Sequence, residues 1–439
     1  MRAWAVFGAV FGTILALAGP AAAAPQTWLM SVDRWGNAEH SVLTLDAKDP
    51  KNAKDGALSG AVDDWALTGS RRGDKLSFVA IDSHGVPHRY EATQRDGVLT
   101  GWADYPDTSN KARARHAFTA LRLEIPTGPP ARVTYSPVSF SNTFTADLPP
   151  ALVIRPGDVV ATRTIDSGGV DEQGKVAALY GNPQTGPFFV AGAKAGDVLA
   201  IHIRKLTLNR DYADSLDGVA GRAMSLGLAA RSAGLGKQVR WRLDRAAGLA
   251  RLEDPPERLK DYAVPLRPML GGLGVAPDFG FPPQSAGDSG RWGGNMDFNE
   301  IGEGATVYLP VFQPGAMLFL GDGHALQGDG ETTQWALETS LDVEFSVELL
   351  PSRPLAAPRI ETADRITVLG QASSLDEAAR AATGAMIQWL EQDYGLNPSE
   401  ASLILGGAAE YRVATLAGRN AGLALSLDKA RLRGLARKP

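Results

Sequence analysis

From Thr27 to about Glu124 the chain alternates short apolar stretches with polar ones. Turn signals at Gly56, Gly60, Gly69, Arg72-Gly73-Asp74, His84-Gly85 and Asp96-Gly97 separate them. Period-two alternation places every second side chain on one face, and closely spaced turns fold such strands back on one another. The pattern predicts a small antiparallel β-meander domain over residues 25–125. Leu76 to Ile81 and Val98 to Trp102 are among its half-buried strands, and Trp28, Trp65 and Trp102 sit in its core. His84, His88 and His116 stand beside turns or charged residues and read as solvent-facing polar groups, not metal ligands.

Pro126-Thr127-Gly128-Pro129-Pro130 breaks this pattern, because prolines cannot donate to a ladder and favour an extended spacer. A second domain is predicted over 132–439. Its strands include Leu152 to Ile154, Val159 to Thr162, Val198 to Ile203, Thr306 to Leu309 and Val343 to Val347, with one helical stretch around Ala223 to Ala233. After Pro351 and Pro354 the period changes to that of a helix. Ser374 and Glu377 form a capping-box pair before Leu375 to Tyr394, and Gly395 follows as a C-cap. Asn397 before Pro398 starts a second helix, and two helices are expected to close the chain against the β core. The fold class is therefore a β-rich α+β protein with C-terminal helices.

The first 24 residues stand apart from both patterns. Arg2, the apolar run from Trp4 to Ala18 and Ala21-Ala22-Ala23-Ala24 have the order of an export signal, which predicts a mature chain near Pro25 in the periplasm or medium and no membrane anchor. The 439-residue chain carries a net charge of -5 with no long block of either sign, so neither nucleic acid nor a membrane surface is an expected partner and a small molecule is. The absence of cysteine excludes disulfide staples, thiolate zinc sites and cysteine-nucleophile chemistry.

Candidate chemistry is densest from Gly287 to Glu338, where Asp288, Asn295, Asp297, Asp322, His324, Gln327, Asp329, Glu331 and Glu338 lie in or beside glycine-rich turns. Residues two apart on an extended segment point the same way, so the carboxylate of Asp322 and the imidazole of His324 can meet one cation, and Asn295 and Asp297 share that geometry. The apolar run Ala316 to Leu320 predicts a buried strand that delivers the pair at a fixed place. Asp and Gly are also the commonest turn formers, and a bare D-x-H leaves both readings open. Six acids and the last histidine around one apolar strand favour a site. Other patterns carry less. Gly287-Asp288-Ser289-Gly290 lacks the partners of a serine protease, Gly271-Gly272-Leu273-Gly274 does not open a dinucleotide-binding unit, and His202 reads as a satisfied core residue in mid-strand.

Three ordered motifs add a resemblance. Residues 181–199, beginning Gly181-Asn182-Pro183-Gln184-Thr185-Gly186-Pro187-Phe188, form the first, and Gly293-Gly294-Asn295-Met296-Asp297-Phe298 with Tyr308-Leu309-Pro310 the second. The third is Gly321-Asp322-Gly323-His324-Ala325-Leu326-Gln327-Gly328-Asp329-Gly330-Glu331, followed by Leu337-Glu338-Thr339. Together they resemble the acetamidase/formamidase family over roughly Tyr135 to Leu427. The resemblance implies a β core, hydrolysis of a carboxamide to carboxylate and ammonia, a divalent metal and a homo-oligomer. Where many members carry histidine, this chain has Trp292 and, upstream, Phe140.

Amide hydrolysis needs an activated water and a stabilised oxyanion, which a zinc-like ion supplies. On that reading Asp297, Asp322 and His324 are the expected ligands of zinc, with calcium as second candidate. Glu331 is the expected general base, with Glu338 as second choice for that role or as a fourth ligand. Asn295 and Gln327 are expected to hydrogen-bond the amide. Two other classes stay open: a non-catalytic protein binding small amides or a cation, and a glycoside hydrolase using paired carboxylates.

Overall fold

The structure, a computed structural model, describes residues 25–46, 55–106, 109 and 111–438. The export signal expected over 1–24 lies outside them. Among the described residues no helix is long and apolar enough to cross a membrane.

The N-terminal meander closes on itself. Eight antiparallel strands follow one another around a barrel from Gln26–Arg34 to Arg113–Leu123, and these two pair with each other through Thr27 against Leu123 and Val32 against Phe118. An eight-stranded barrel has just enough interior for side chains to fill. Here Trp28, Met30, Val32, Leu43, Leu67, Phe78, Tyr90 and Phe118 fill it. Strand parity corrects three of the side-chain expectations. Leu99, Ala103 and Tyr105 take the inward positions of Val98–Pro106, so Trp102 faces outward and is 49% exposed beneath Arg115. His88 and His116 fall on inward positions and are buried, not solvent-facing. One ring nitrogen of each finds a partner: His88 Nε2 lies 3.1 Å from Asp82 Oδ2, and His116 Nδ1 lies 3.1 Å from the Asp33 carbonyl oxygen.

The segment from Pro126 to Pro130 forms no strand. Its Gly128 and Pro129 carbonyls accept from the Arg155 guanidinium at 2.5 and 2.8 Å, which ties it to the rest of the chain.

The remainder is built on two large sheets. Nine strands form one, with Thr306–Pro310, Val198–Leu208 and Leu341–Leu350 at its centre. The other has Leu318–His324 at its hub, paired with Met269–Gly274, Gln184–Val190 and Glu338–Thr339. Leu199, Ile201, Ile203, Val307 and Phe345 of the first sheet pack with Leu270, Leu273, Phe188, Leu318 and Leu320 of the second. This core has no disulfide among its supports, because the chain has no cysteine.

Helix Leu375–Tyr394 starts at Ser374, whose side chain accepts from Glu377 N, and stops at Gly395, which has a positive φ of 70°. The reciprocal half of its expected capping box is absent, since Glu377 turns instead to accept from Ser373 Oγ at 2.5 Å. Helix Pro398–Ala408 has both halves, through Asn397 and Glu400. Two expectations fail here. The stretch Ala223 to Ala233 contains only one α-turn, Leu226–Ala229, because it buries no residue and has no apolar stripe to pack. The helices do not end the fold either: the hairpin Glu410–Thr415 and Ala421–Asp428 follows them and joins the nine-stranded sheet.

Candidate metal centre and active site

Leu318–His324 is buried at every position and ends in the expected pair. Asp322 has a φ of 56°, so the chain leaves regular extended geometry there, yet its Oδ1 still comes within 3.5 Å of His324 Nε2. Asn182, Asp297 and Glu331 also have positive φ, at 58°, 41° and 42°. Non-glycine residues pay in strain for this conformation, and its concentration in one cluster is characteristic of functional sites.

Each polar group is held by one atom and left free at another. Asp297 Oδ2 accepts a short hydrogen bond from Asn295 Nδ2, while its Oδ1 is buried with no hydrogen-bond partner. Asp322 Oδ2 accepts from Asn182 Nδ2 at 2.7 Å, leaving Oδ1 free. Glu338 Oε1 accepts from Ala336 N at 3.0 Å, leaving Oε2 free and 3.3 Å from His324 Nε2. His324 Nδ1 lies 2.9 Å from Gln327 Oε1. Gln327 Nε2 donates to the Asp297 and Ala414 carbonyls, which fixes the amide's orientation, puts a proton on His324 Nδ1 and turns Nε2 toward the carboxylates with no hydrogen bond of its own. Two carboxylate oxygens and one imidazole nitrogen, from Asp297, Asp322 and His324, lie within 4.8 Å of one another; so do the ligand atoms of His324, Glu331 and Glu338.

Buried unpaired acceptors are costly unless a cation meets them. The electrostatics agree. Burial raises the carboxyls of Asp297, Glu331 and Glu338 above the usual range, and neighbouring acids add to the rise. Burial disfavours a charged His324, but the carboxylates of Glu338 and Asp322 outweigh it and hold the ring well above its ordinary pKa. The donor set, one imidazole with surrounding carboxylates each oriented by an outer hydrogen bond, fits a divalent metal.

Gly271 makes room for this cluster. A Cβ there would stand 2.7 Å from both Asp297 Oδ1 and Asp322 Oδ2. A cavity of about 230 Å³ opens onto Asn182, Asn295, Asp322, Glu331 and Glu338, with Tyr180, Trp335, Asp288 and Arg419 among its other walls. Glu331, the expected base, lines it with Oε2 accepting from Thr415 Oγ1 at 3.0 Å. Asn295 lines it too, although its amide oxygen already accepts from Asn182 at 2.6 Å. Gln327, expected against the substrate, is not among the cavity's walls, and its amide is occupied in fixing His324. Asp329 is drawn away by Arg412 and Asn299, and Asp288 pairs with Arg419 at 2.9 Å. Neither Trp292 nor Phe140 lines the cavity. His202, expected in the core, is half-buried and bonded to Thr306 Oγ1.

Nothing in the sequence alone assigns a role to Asn182, Gly271 or Thr415. Asn182 lies within the first family-like motif, and Gly271 within the run Gly271-Gly272-Leu273-Gly274. Thr415 gave no signal, since it arrives on the hairpin that was not anticipated.

Fold and centre together define a two-sheet β protein with a buried carboxylate and imidazole cluster under a small cavity. Residues 287–416 match the Acetamidase/Formamidase family. The centre and the hairpin that follows it lie within or beside that stretch, and the chain is similar there to the family. A predicted acetamidase/formamidase from Thermoanaerobacter tengcongensis is similar over 70% of this chain and 98% of its own, at 28% identity and a TM-score of 0.59. The acetamidase of Yersinia enterocolitica is similar over 69% of this chain and 93% of its own, with 28% identity and a TM-score of 0.59. A putative formamidase of Schizosaccharomyces pombe is 54% identical over 39 residues, and that stretch spans 9% of this chain and 10% of the relative.

Proposed function

We propose that this chain hydrolyses small aliphatic amides to carboxylate and ammonia at the Asp297, Asp322, His324 and Glu338 centre, with a divalent metal as cofactor. One observation carries the reading: four buried atoms, Asp297 Oδ1, Asp322 Oδ1, His324 Nε2 and Glu338 Oε2, are each without a hydrogen bond, and Asp322 and Glu338 of this set line a cavity of about 230 Å³. Zinc is favoured over calcium, because the set includes an imidazole and calcium prefers oxygen alone. When bound, such an ion supplies Lewis acidity toward the amide carbonyl and makes water acidic enough to attack at neutral pH.

The protein's own groups supply the rest. Asn182, Asn295 and Gln327 orient the carboxylates and the imidazole before substrate arrives, so little reorganisation is needed during reaction. Glu331 faces the cavity with a carboxyl raised by burial and by Asp297, toward the range in which one group can take a proton from water and pass it to the leaving nitrogen. The cavity lies below the roughly 300–1,000 Å³ of drug-sized pockets, which favours a substrate of few heavy atoms. Its size also speaks against a sugar ring set between two carboxyls about 5–9.5 Å apart. Arg2, the apolar run and the alanine cluster support export of the enzyme.

The test is ammonia release across formamide, acetamide, propionamide and a small lactam, with chelator-treated and zinc-reloaded protein. Turnover of short linear amides that falls with chelation and returns with zinc supports the reading. Release from none of them by reloaded protein would sink it.

A further inference from the structure

A second cavity lies on the far side of the nine-stranded sheet. Along Val198–Leu208, Leu199 and Ile201 enter the shared core, while Val198, Ala200 and His202 line a cavity of about 180 Å³ walled also by Trp389 and Asp393 of the long helix. Three guanidiniums reach it, from Arg353, Arg359 and Arg437, against two carboxylates, from Glu348 and Asp393. Asp393 is fully engaged: it accepts from Trp389 Nε1 at 3.0 Å and Arg437 Nη2 at 2.8 Å and pairs with Arg353. Glu348 stands largely exposed beside His202, with 3.3 Å between Oε1 and Nε2.

Arg359 is different. It is 2% exposed, and no carboxylate among the described residues pairs with it. Its Nη2 donates to the side-chain oxygens of Gln388 and Gln392 at 3.3 and 2.8 Å, and its guanidinium lies 4.9 Å from the Trp389 ring. Its Nε is buried without an acceptor. Burial, joined by repulsion from Arg353, pushes its pKa down to about 9. A guanidinium so placed has a fixed, planar donor face and no counter-charge, which is the arrangement used to capture oxyanions.

We infer that this cavity is a binding site for a small monoanionic carboxylate, received by Arg359. Asp393 takes Arg353 and Arg437, and Arg437 meets Glu361 as well, whereas Arg359 keeps its single positive charge unpaired, which suits a monoanion better than a phosphate dianion. Val198, Ala200 and Leu355 offer an apolar wall for a short alkyl group. The inference rests on the buried, unpaired guanidinium of Arg359 at this cavity and is independent of the reaction proposed at the other one.

Titration calorimetry of the full chain with sodium acetate, and separately with inorganic phosphate, tests it. Acetate should bind saturably to the wild type, and the component that depends on Arg359 should persist in His324→Ala, which separates this cavity from the acid and imidazole centre where acetate would be a reaction product. Arg359→Met keeps the volume and removes the charge, and should weaken acetate binding about tenfold or more. Ala200→Val narrows the cavity without altering charge and should also weaken binding, which keeps the test decisive if Arg359→Met does not fold. Absence of saturable acetate binding overturns the inference, as does an affinity unchanged by both Arg359→Met and Ala200→Val. Loss of all saturable acetate binding in His324→Ala, or binding of phosphate without acetate, overturns it equally.

Discussion

Gly271 illustrates how single atoms govern the centre. Its missing side chain is the space in which Asp297 and Asp322 face each other, so Gly271→Ala puts a methyl carbon 2.7 Å from two carboxylate oxygens. Strand geometry leaves that methyl nowhere to move, and Gly271→Ala is expected to fold yet lose both metal content and most turnover, as elemental analysis beside an ammonia assay would show. Glu331→Gln makes a different prediction, because it keeps shape while removing the proton-accepting oxygen. It should retain the metal and lose about 10²–10⁴-fold in turnover, the usual reach of general acid–base catalysis. Loss of metal in Glu331→Gln would move Glu331 among the ligands. At this scale Asp297, Asp322, His324, Glu331 and Glu338 were legible in the sequence because charged residues crowd visibly. Asn182 and Gly271 were not, since a neutral amide acts here through partners 113 and 140 positions away and an absent side chain only through the space it leaves beside Asp297 and Asp322.

Elements obey local rules where those rules are strong. Asn397, Pro398 and Glu400 specify a helix start from sequence alone, and the cap is complete in the structure. Asn397→Ala should therefore cost about 1 kcal/mol of stability, measured by denaturant or thermal unfolding, with turnover unchanged because the helix lies away from the centre. An unchanged stability would mean that packing, not the cap, sets that helix. Alternation likewise made the barrel strands legible but not their closure, which depends on the pairing of Gln26–Arg34 with Arg113–Leu123 across the whole domain. It did not fix parity at Trp102, His88 or His116, since one residue of register moves a side chain to the other face. The hairpin Glu410–Thr415 and Ala421–Asp428 was overlooked behind two well-marked helices, and with it Thr415, the partner of Glu331.

At the scale of the whole molecule, the barrel and the two-sheet body share an apolar contact. Leu29, Leu123, Val42 and Ile125 pack with Phe144, Phe189, Met317 and Phe319. Met317 and Phe319 adjoin or belong to the strand that carries Asp322 and His324, so the barrel covers the far end of the element on which the centre is built. A chain starting at Arg132 is expected to fold and to keep its small-amide turnover, but to unfold at lower temperature and to aggregate sooner, because those aromatic side chains become exposed. Thermal unfolding beside the ammonia assay checks this, and a soluble, metal-loaded but inert shortened chain would assign the barrel a part in the site. The central claim is that a buried cluster of Asp297, Asp322, His324 and Glu338 holds a divalent metal required for amide hydrolysis. Its most direct test is elemental analysis of the purified full chain and of His324→Ala, with ammonia release measured on the same samples. The account predicts near-stoichiometric metal and turnover in the wild type and loss of both in His324→Ala, whereas full metal content and full activity in His324→Ala would contradict it.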